Sequence, residues 1–245
     1  MGYTTVYTGG LKSSWELFIR QFADNNGYKT VLRGLAATAE IATFGLIIGV
    51  LIGTLIAVVK VSPKYKRLPR VLSRIADVYV GFFRGTPMTV QLLIGYYVLL
   101  PALKLPIDGV FVAVIIFGMN SGAYVSEIMR AGIQSVDVGQ LEAGRALGLS
   151  FWRAMSKIVL PQSVKNILPT LGNEFITLIK DTSIVSFIAV TDLTKAFRQI
   201  GDANYEYVVP YLMLAAIYIV LVALITVLVR ALERRLKKVD RSAND

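Results

Sequence analysis

The sequence predicts an all-α membrane protein with about five transmembrane helices. Its 245 residues are 55% hydrophobic and its mean hydropathy is +0.60, whereas soluble domains are about 45–50% apolar. Several apolar stretches approach or exceed the roughly 20 residues that a helix needs to cross a bilayer. The 26 Lys and Arg residues, against 16 Asp and Glu, gather in a few segments between these stretches, as in loops that face an anionic membrane surface.

The composition also excludes several kinds of chemistry. The chain has no Cys and no His, so it lacks disulfides, thiolate nucleophiles, Cys/His zinc sites and imidazole catalysis. No lysine follows a glycine, so the Walker A motif is missing and any ATP must bind to another chain. An aromatic-rich basic platform for nucleic acid is also lacking. We therefore expect no catalytic residue, no metal site, no cofactor and no nucleic-acid partner.

The outer N-terminal segment, 1–27, contains a predicted amphipathic helix at 11–26. Ser13 and Glu16 have the spacing of a capping box. Such a helix either lies in the membrane interface or packs on the rest of the protein, and the pattern is compatible with both. The large apolar side chains on one face are Leu11, Trp15, Phe18 and Phe22.

The first predicted span, Leu35–Val59, is apolar apart from Glu40 and a few threonines. Gly45, Gly49 and Gly53 recur at every fourth position, so they share one helical face. A ridge of small residues lets a second helix approach closely. We interpret this ridge as a packing surface.

Four further spans complete a predicted transmembrane domain at 28–232. The second contains polar residues and a proline, and the fourth contains three charged residues. A basic tail follows at 233–245. The predicted limits of the four spans are Val71–Leu100, Val110–Ile128, 167–190 and Val208–Val229.

Positive charges set the predicted orientation. They are concentrated after the first span, in the segment 130–166 and in the tail, and an odd number of spans places all three on one side. Such loops face the cytoplasm. We therefore expect a multi-pass protein of the bacterial inner membrane, with its N-terminus outside and its C-terminus in the cytoplasm. The basic residues after the first span are Lys60, Lys64, Lys66, Arg67, Arg70 and Arg74.

The cytoplasmic segment 130–166 contains a predicted helical hairpin. Asp137 is placed to cap the first short helix, and Gly148 to end it in a left-handed turn. Ser150 is placed to cap the next helix, and Pro161 is expected to break or redirect it. By itself this pattern indicates a docking element or a structural loop.

The hairpin resembles the EAA loop of ABC importer permeases, whose pattern is EAA-x3-G-x9-I-x-LP. The one departure is Gly144, where the family usually has alanine. In that family the loop docks into a groove on the ATP-binding subunit, so the resemblance implies that this loop couples the chain to such a subunit. The residues concerned are Glu142, Ala143, Gly144, Gly148, Leu149, Ile158, Leu160 and Pro161.

Other stretches narrow the resemblance to the polar amino acid permeases. Arg84-Gly85-Thr86-Pro87 with Val90-Gln91 is similar to their RGTP-x-x-VQ signature. Residues 122–127 of this chain are similar to part of the third span of these permeases, and residues 180–183 are similar to their KDTS stretch. The resemblance extends from about Tyr28 to Leu232 and implies a type I importer architecture. The implied partners are an ATP-binding subunit, a second permease chain that completes the pathway as a dimer, and an extracytoplasmic solute-binding protein, with an amino acid as substrate.

Polar residues inside the spans are candidates for the substrate pathway, because charge in a bilayer is costly. Arg84 can bind a carboxylate in a bidentate manner, and Pro87 interrupts the helix beside it. The alternatives are structural: Arg84 could pair with Asp77, and the acidic residues could form internal ion pairs. The candidates are Arg84, Thr86, Pro87, Gln91, Asn120, Ser121, Glu127 and Glu174.

Three functions are compatible with these residues. The first is the permease subunit of an ATP-driven amino acid importer, which performs no chemistry of its own. The second is a membrane enzyme that uses carboxylates such as Glu127, Glu174 and Asp181. The third is a stand-alone ion-coupled carrier, which would more often show internal repeats. The EAA loop favours the first.

Overall fold

The computed structural model describes residues 10–63, 67–104 and 106–244, and their side chains as far as residue 234. Lys64, Lys66 and the N-terminal residues 1–9 lie outside these ranges. Within them the chain is helical and contains no strand, as the sequence predicts. The helices are α1 (Leu11–Ile19), α2 (Gly27–Val61), α3 (Arg67–Gly85), α4 (Met88–Ile94), α5 (Leu100–Ala102), α6 (Gly109–Gln134), α7 (Val138–Ala146), α8 (Phe151–Ala154), α9 (Leu160–Asp181), α10 (Leu193–Asp202) and α11 (Val208–Asn244).

Three of the described helices are long and apolar enough to cross a membrane. They are α2, α6 and the part of α11 from Val208 to Arg234. The chain from α3 to α5 makes a long helix that is interrupted once, after Gly85. Helix α9 has the length of a span but carries the charged residues noted in the sequence. The total of five spans stays a prediction.

The glycines of α2 form the packing ridge that the sequence predicts. All three are buried against α6. A Cβ atom on Gly49 would lie 2.7 Å from the Ser121 hydroxyl oxygen, and one on Gly53 would lie 2.6 Å from Val125 Cγ1. Real Cβ atoms do not approach this closely, so only glycine allows the two helices to lie at this distance.

The main apolar core lies where α2, α6 and α9 meet. Its remaining members come from α4 and from the 3₁₀ segment Thr182–Ile188 that follows α9. The buried residues are Ile41, Ala42, Leu92, Ala113, Val114, Phe117, Leu178, Ile179, Val185, Ile188 and Val190.

Helix α1 packs on the protein with one face and is exposed on the other. Phe18 is buried in a second apolar cluster that contains Phe197 of α10, whereas Trp15 is 46% exposed. The predicted capping box is wrong. Gly10 is the N-cap residue, and Ser13 lies inside the first turn, where its hydroxyl donates to the Gly10 carbonyl at 2.8 Å.

The connection from α9 to α11 is fixed by a buried aspartate. Asp192 is fully buried and caps α10 by accepting hydrogen bonds from the backbone N–H groups of Thr194 and Lys195, both at 2.9 Å. Burial raises the pKa of the Asp192 carboxyl, and these backbone hydrogen bonds oppose that rise.

Candidate functional site

The helical hairpin begins and turns as its sequence predicts. The Asp137 carboxylate accepts the Gly139 N–H at 2.6 Å and caps α7. Gly148 has φ of +87°, and the N–H groups of Gly148 and Leu149 donate to carbonyls within α7 at 3.0 and 3.1 Å. These are the two hydrogen bonds of a Schellman motif, so α7 ends in a fixed turn. Ser150 then caps α8 through the N–H of Arg153.

The hairpin presents uncovered side chains. Leu147, at the tip, is 85% exposed. Glu142 and Ala143 are exposed, and Glu142 forms no ion pair with any residue that the structure describes. The hairpin therefore exposes a charged side chain and a large apolar side chain on a fixed turn, and neither packs against the rest of the chain. Such a surface is suited to binding a protein partner.

Gly144 is closely packed inside the hairpin. It is buried, and a Cβ atom there would lie 2.6 Å from Ile158 Cδ1 and 3.3 Å from Ala154 Cβ. The Ile158 side chain therefore packs closely over the glycine and holds α7 against the second arm. An alanine at this position would require the end of the Ile158 side chain to move.

Pro161 does not break the chain, which corrects the prediction made from the sequence. The segment from Phe151 to Asp181 is continuously helical, with one π-helical turn at Met155–Val159. Pro161 is the second residue of α9 and directly follows that wider turn, so the change in helical hydrogen bonding coincides with the residue that has no N–H. Since α6 runs to Gln134 and α9 begins at Leu160, the hairpin is shorter than the predicted loop.

The second candidate region is the interruption between α3 and α4. Pro87 is the N-cap residue of α4 and is extended, with ψ of 136°. The interruption leaves carbonyls without helical partners. The buried Gln91 amide nitrogen donates to the carbonyls of Phe83 and Thr86 at 2.9 and 3.0 Å, and Asn120 of α6 donates to Gln91 Oε1 at 2.9 Å. Two predicted pathway residues, Gln91 and Asn120, therefore stabilise the interruption of the helix through hydrogen bonds.

Arg84 stands apart from this network. It lies in the last turn of α3, where a cation is favoured by the helix dipole. Its guanidinium lies 5.4 Å from the centroid of the Tyr124 ring, a cation–π contact. Asp77 pairs with Lys60 at 3.1 Å instead, so the alternative that pairs Arg84 with Asp77 is wrong. The exposed guanidinium keeps donors available for a ligand.

Ser121 and Glu174 form a third group of candidates. The Ser121 hydroxyl, fully buried on α6, donates to Glu174 Oε1 of α9 at 2.9 Å. This bond ties the two helices together beside the glycine ridge of α2.

Glu127 lies in an ion cluster rather than with the other candidates. Its carboxylate accepts from Lys60 Nζ at 2.8 Å and from Arg130 Nη2 at 2.6 Å. Lys60 also contacts Asp77 in the middle of α3, so the C-terminal parts of α2 and α6 are joined to that helix. Lys60, expected in a basic loop, lies in the last turn of α2. This cluster could not be predicted from the sequence, because most of its members are far apart along the chain.

Comparison with known proteins identifies the family. Residues 41–238 match the family described as the binding-protein-dependent transport system inner membrane component. The chain belongs to this family, and it is therefore the membrane component of a transport system. This assignment excludes the membrane enzyme and the stand-alone carrier, and it places ATP hydrolysis on a separate subunit.

Individual relatives narrow the class. The chain is 42% identical, over 86% of its length and 94% of the relative's, to the arginine transport system permease protein ArtQ of Bacillus subtilis. It is 38% identical, over 84% of its length and 92% of the relative's, to the putative glutamine transport system permease protein GlnP of Rickettsia bellii. A crystal structure of an amino acid ABC transporter with histidines superposes with a TM-score of 0.79 at 39% identity, covering 87% of this chain and 97% of that one.

Proposed function

We propose that the chain is the permease subunit of a bacterial importer for a polar amino acid and forms half of its translocation pathway. The observation that carries this proposal is the hairpin built from α7 and α8, because it offers an exposed, rigid surface that the fold itself does not use. The relatives named for arginine and glutamine transport support the substrate class.

The hairpin couples the pathway to a cytoplasmic ATP-binding subunit. Glu142, Leu147 and Gly148 meet that subunit, while Gly144 and Ile158 hold the two arms together. The second arm is continuous with α9 as far as Asp181. A displacement at the docking surface therefore moves a helix that reaches the membrane core. Rigid-body movements of helices of this kind switch transporters between inward-facing and outward-facing conformations.

The substrate carboxylate binds at Arg84, whose guanidinium is positioned by the ring of Tyr124. Thr86, Pro87, Gln91 and Asn120 serve this site by fixing the interruption of the helix rather than by contact. Ser121 and Glu174 lie deeper, between α6 and α9. A second permease chain completes the pathway, and a solute-binding protein delivers the amino acid on the outer side.

Docking is tested by charge reversal at Glu142. We expect Glu142→Lys to leave insertion and thermal stability unchanged, because Glu142 has no partner among the described residues, and to abolish assembly with the ATP-binding subunit and uptake. Glu16→Lys, an equally exposed charge on α1, is the matched control and should assemble normally. Normal assembly and normal substrate-stimulated ATPase activity in Glu142→Lys would refute the docking role.

The orientation is tested by labelling single cysteines, since the chain has none of its own. Cysteines at the exposed positions Lys12 and Asn204 should react with an impermeant thiol reagent in whole cells. A cysteine at Ser150, in the hairpin, should react only after permeabilisation. The reverse pattern would place the hairpin outside and would contradict the proposed coupling.

A further inference from the structure

An apolar cavity lies between the spans and the base of the hairpin. Its volume is about 330 Å³, roughly twice that of the apolar cavities of about 150 Å³ that stay dry and bind small hydrophobic molecules. It is open on one side, where Val164 and Trp152 are 42% and 50% exposed. Its wall is formed by Thr54, Ala57, Val58, Val61, Met129, Ile133, Trp152, Met155, Leu160, Val164, Ile167, Leu168 and Leu171.

Apart from the indole N–H of Trp152 at the opening, the wall offers no free hydrogen-bond donor to a polar ligand. Thr54 carries the one hydroxyl, and that group donates to the carbonyl of Val50 on its own helix at 2.6 Å. Trp152 stands at the opening, with the amphipathic ring typical of a membrane interface. An occupant of this cavity is therefore apolar, and it enters from the side of the bilayer.

Two exposed cations lie next to wall residues along the helical segment that begins at α8. Arg153 and Lys157 are exposed one helical turn apart on the same segment as Trp152 and Leu160. Neither forms an ion pair with any residue in the described part of the chain. Two cations next to wall residues of an apolar cavity complement a molecule with an anionic head and a hydrocarbon tail.

We propose that this cavity binds one acyl chain of an anionic phospholipid from the leaflet that adjoins the hairpin, with its phosphate near Arg153 and Lys157. The bound chain fills the space between α2, α6 and α9 and supports the second arm of the hairpin, which lies over the cavity. The site does not depend on which amino acid the protein transports.

The test uses the full chain assembled with its ATP-binding subunit in vesicles. Of the two tryptophans of this chain, Trp15 is replaced in the variant Trp15→Phe, and the same complex carrying Trp15→Phe with Trp152→Phe measures the fluorescence of the other subunit, which is subtracted. The vesicles are phosphatidylcholine with a small share of phosphatidylglycerol, and either lipid carries brominated acyl chains, which quench tryptophan on contact. We expect brominated phosphatidylglycerol to quench Trp152 several-fold more strongly, per mole, than brominated phosphatidylcholine.

Two sets of variants separate a bound chain from ordinary surrounding lipid. Val164→Phe narrows the cavity and should remove the excess quenching by phosphatidylglycerol, whereas Leu55→Phe, on the exposed side of α2, should leave it unchanged. The double change Arg153→Gln with Lys157→Gln should abolish the preference for phosphatidylglycerol. The proposal would be overturned if both lipids quenched Trp152 equally and Val164→Phe did not change that quenching. Absence of quenching would also overturn it, because a protein segment would then cover the cavity.

Discussion

Lys60 Nζ lies 2.8 Å from Glu127 Oε1, although 67 positions separate the two residues along the chain. The side chain of Lys60 is 11% exposed and that of Glu127 is 19% exposed, so both charges are largely removed from solvent and each depends on the other. Together with Asp77 and Arg130 they join the C-terminal parts of α2 and α6 to the middle of α3.

This pairing predicts a structural effect for Glu127. Replacing it with Gln leaves Lys60 with Asp77 alone and Arg130 without its carboxylate, so we expect a loss of about 1–3 kcal/mol in the free energy of unfolding. Transport per assembled complex should be nearly unchanged. Thermal unfolding and uptake measure the two effects, with Glu16→Gln as the exposed control. A stable Glu127→Gln complex without transport would instead place Glu127 in the pathway.

The turn at the hairpin tip depends on one glycine. Gly148 has φ of +87°, and a side chain there would meet nothing within 4 Å, so a substitution is opposed by the backbone alone. We expect Gly148→Ala to destabilise the turn by about 1–2 kcal/mol and to weaken assembly with the ATP-binding subunit. Gly81→Ala is the control, since it also has open space but lies in helix α3. Equal assembly of the two variants would show that the turn is not required.

Much of this hairpin was predictable because its signals are local. Asp137, Gly148 and Ser150 each act on backbone groups within a few residues, so their spacing determines the caps and the turn. The glycine ridge of α2 was predictable for the same reason, since helical periodicity alone places its members on one face. The π-helical turn before Pro161 has no such signal, and the expected break was wrong.

The predicted substrate residues show where the sequence was insufficient. A buried Gln or Asn can bind a ligand or a backbone carbonyl, and composition does not distinguish the two. The structure assigns Gln91 and Asn120 to the carbonyls of the broken helix. The partners of Arg84 and Asp77 could not be predicted either. Tyr124 contacts Arg84 and Lys60 pairs with Asp77, but both lie on other helices and are brought close only by the tertiary fold.

Asp192 provides a test of the connection between α9 and α11. Asp192→Asn keeps one of the two acceptor oxygens that cap α10 and removes a buried charge, so at neutral pH we expect it to be more stable than Asp192→Ala. Asp192→Ala should lose about 0.5–2 kcal/mol because the cap is lost. Circular dichroism during heating measures both variants.

The raised pKa of Asp192 also predicts a pH dependence with a defined sign. A carboxyl whose pKa is higher in the folded state contributes stability that is complete below its unfolded-state pKa and is lost as the pH rises through the folded-state pKa. Any stability advantage of Asp192→Asn over the native chain should therefore shrink as the pH is lowered. An advantage that grows on acidification would contradict the raised pKa.

The last prediction concerns Arg84 and the substrate carboxylate. Arg84→Lys keeps the positive charge but loses the two-pronged donor, so we expect it to lower uptake about 10-fold or more while the complex still assembles. Arg84→Ala should abolish uptake. Tyr124→Leu removes the ring beneath the guanidinium and should weaken apparent substrate affinity, because Arg84 is then less well positioned.

The double change Asp77→Ala with Arg84→Ala separates substrate contact from charge balance. Since Asp77 pairs with Lys60, removing it should not restore the uptake lost with Arg84, and the double variant should stay inactive though assembled. Uptake of labelled amino acid, normalised to the amount of complex, is the measurement, and recovery in the double variant would leave Arg84 as a structural charge.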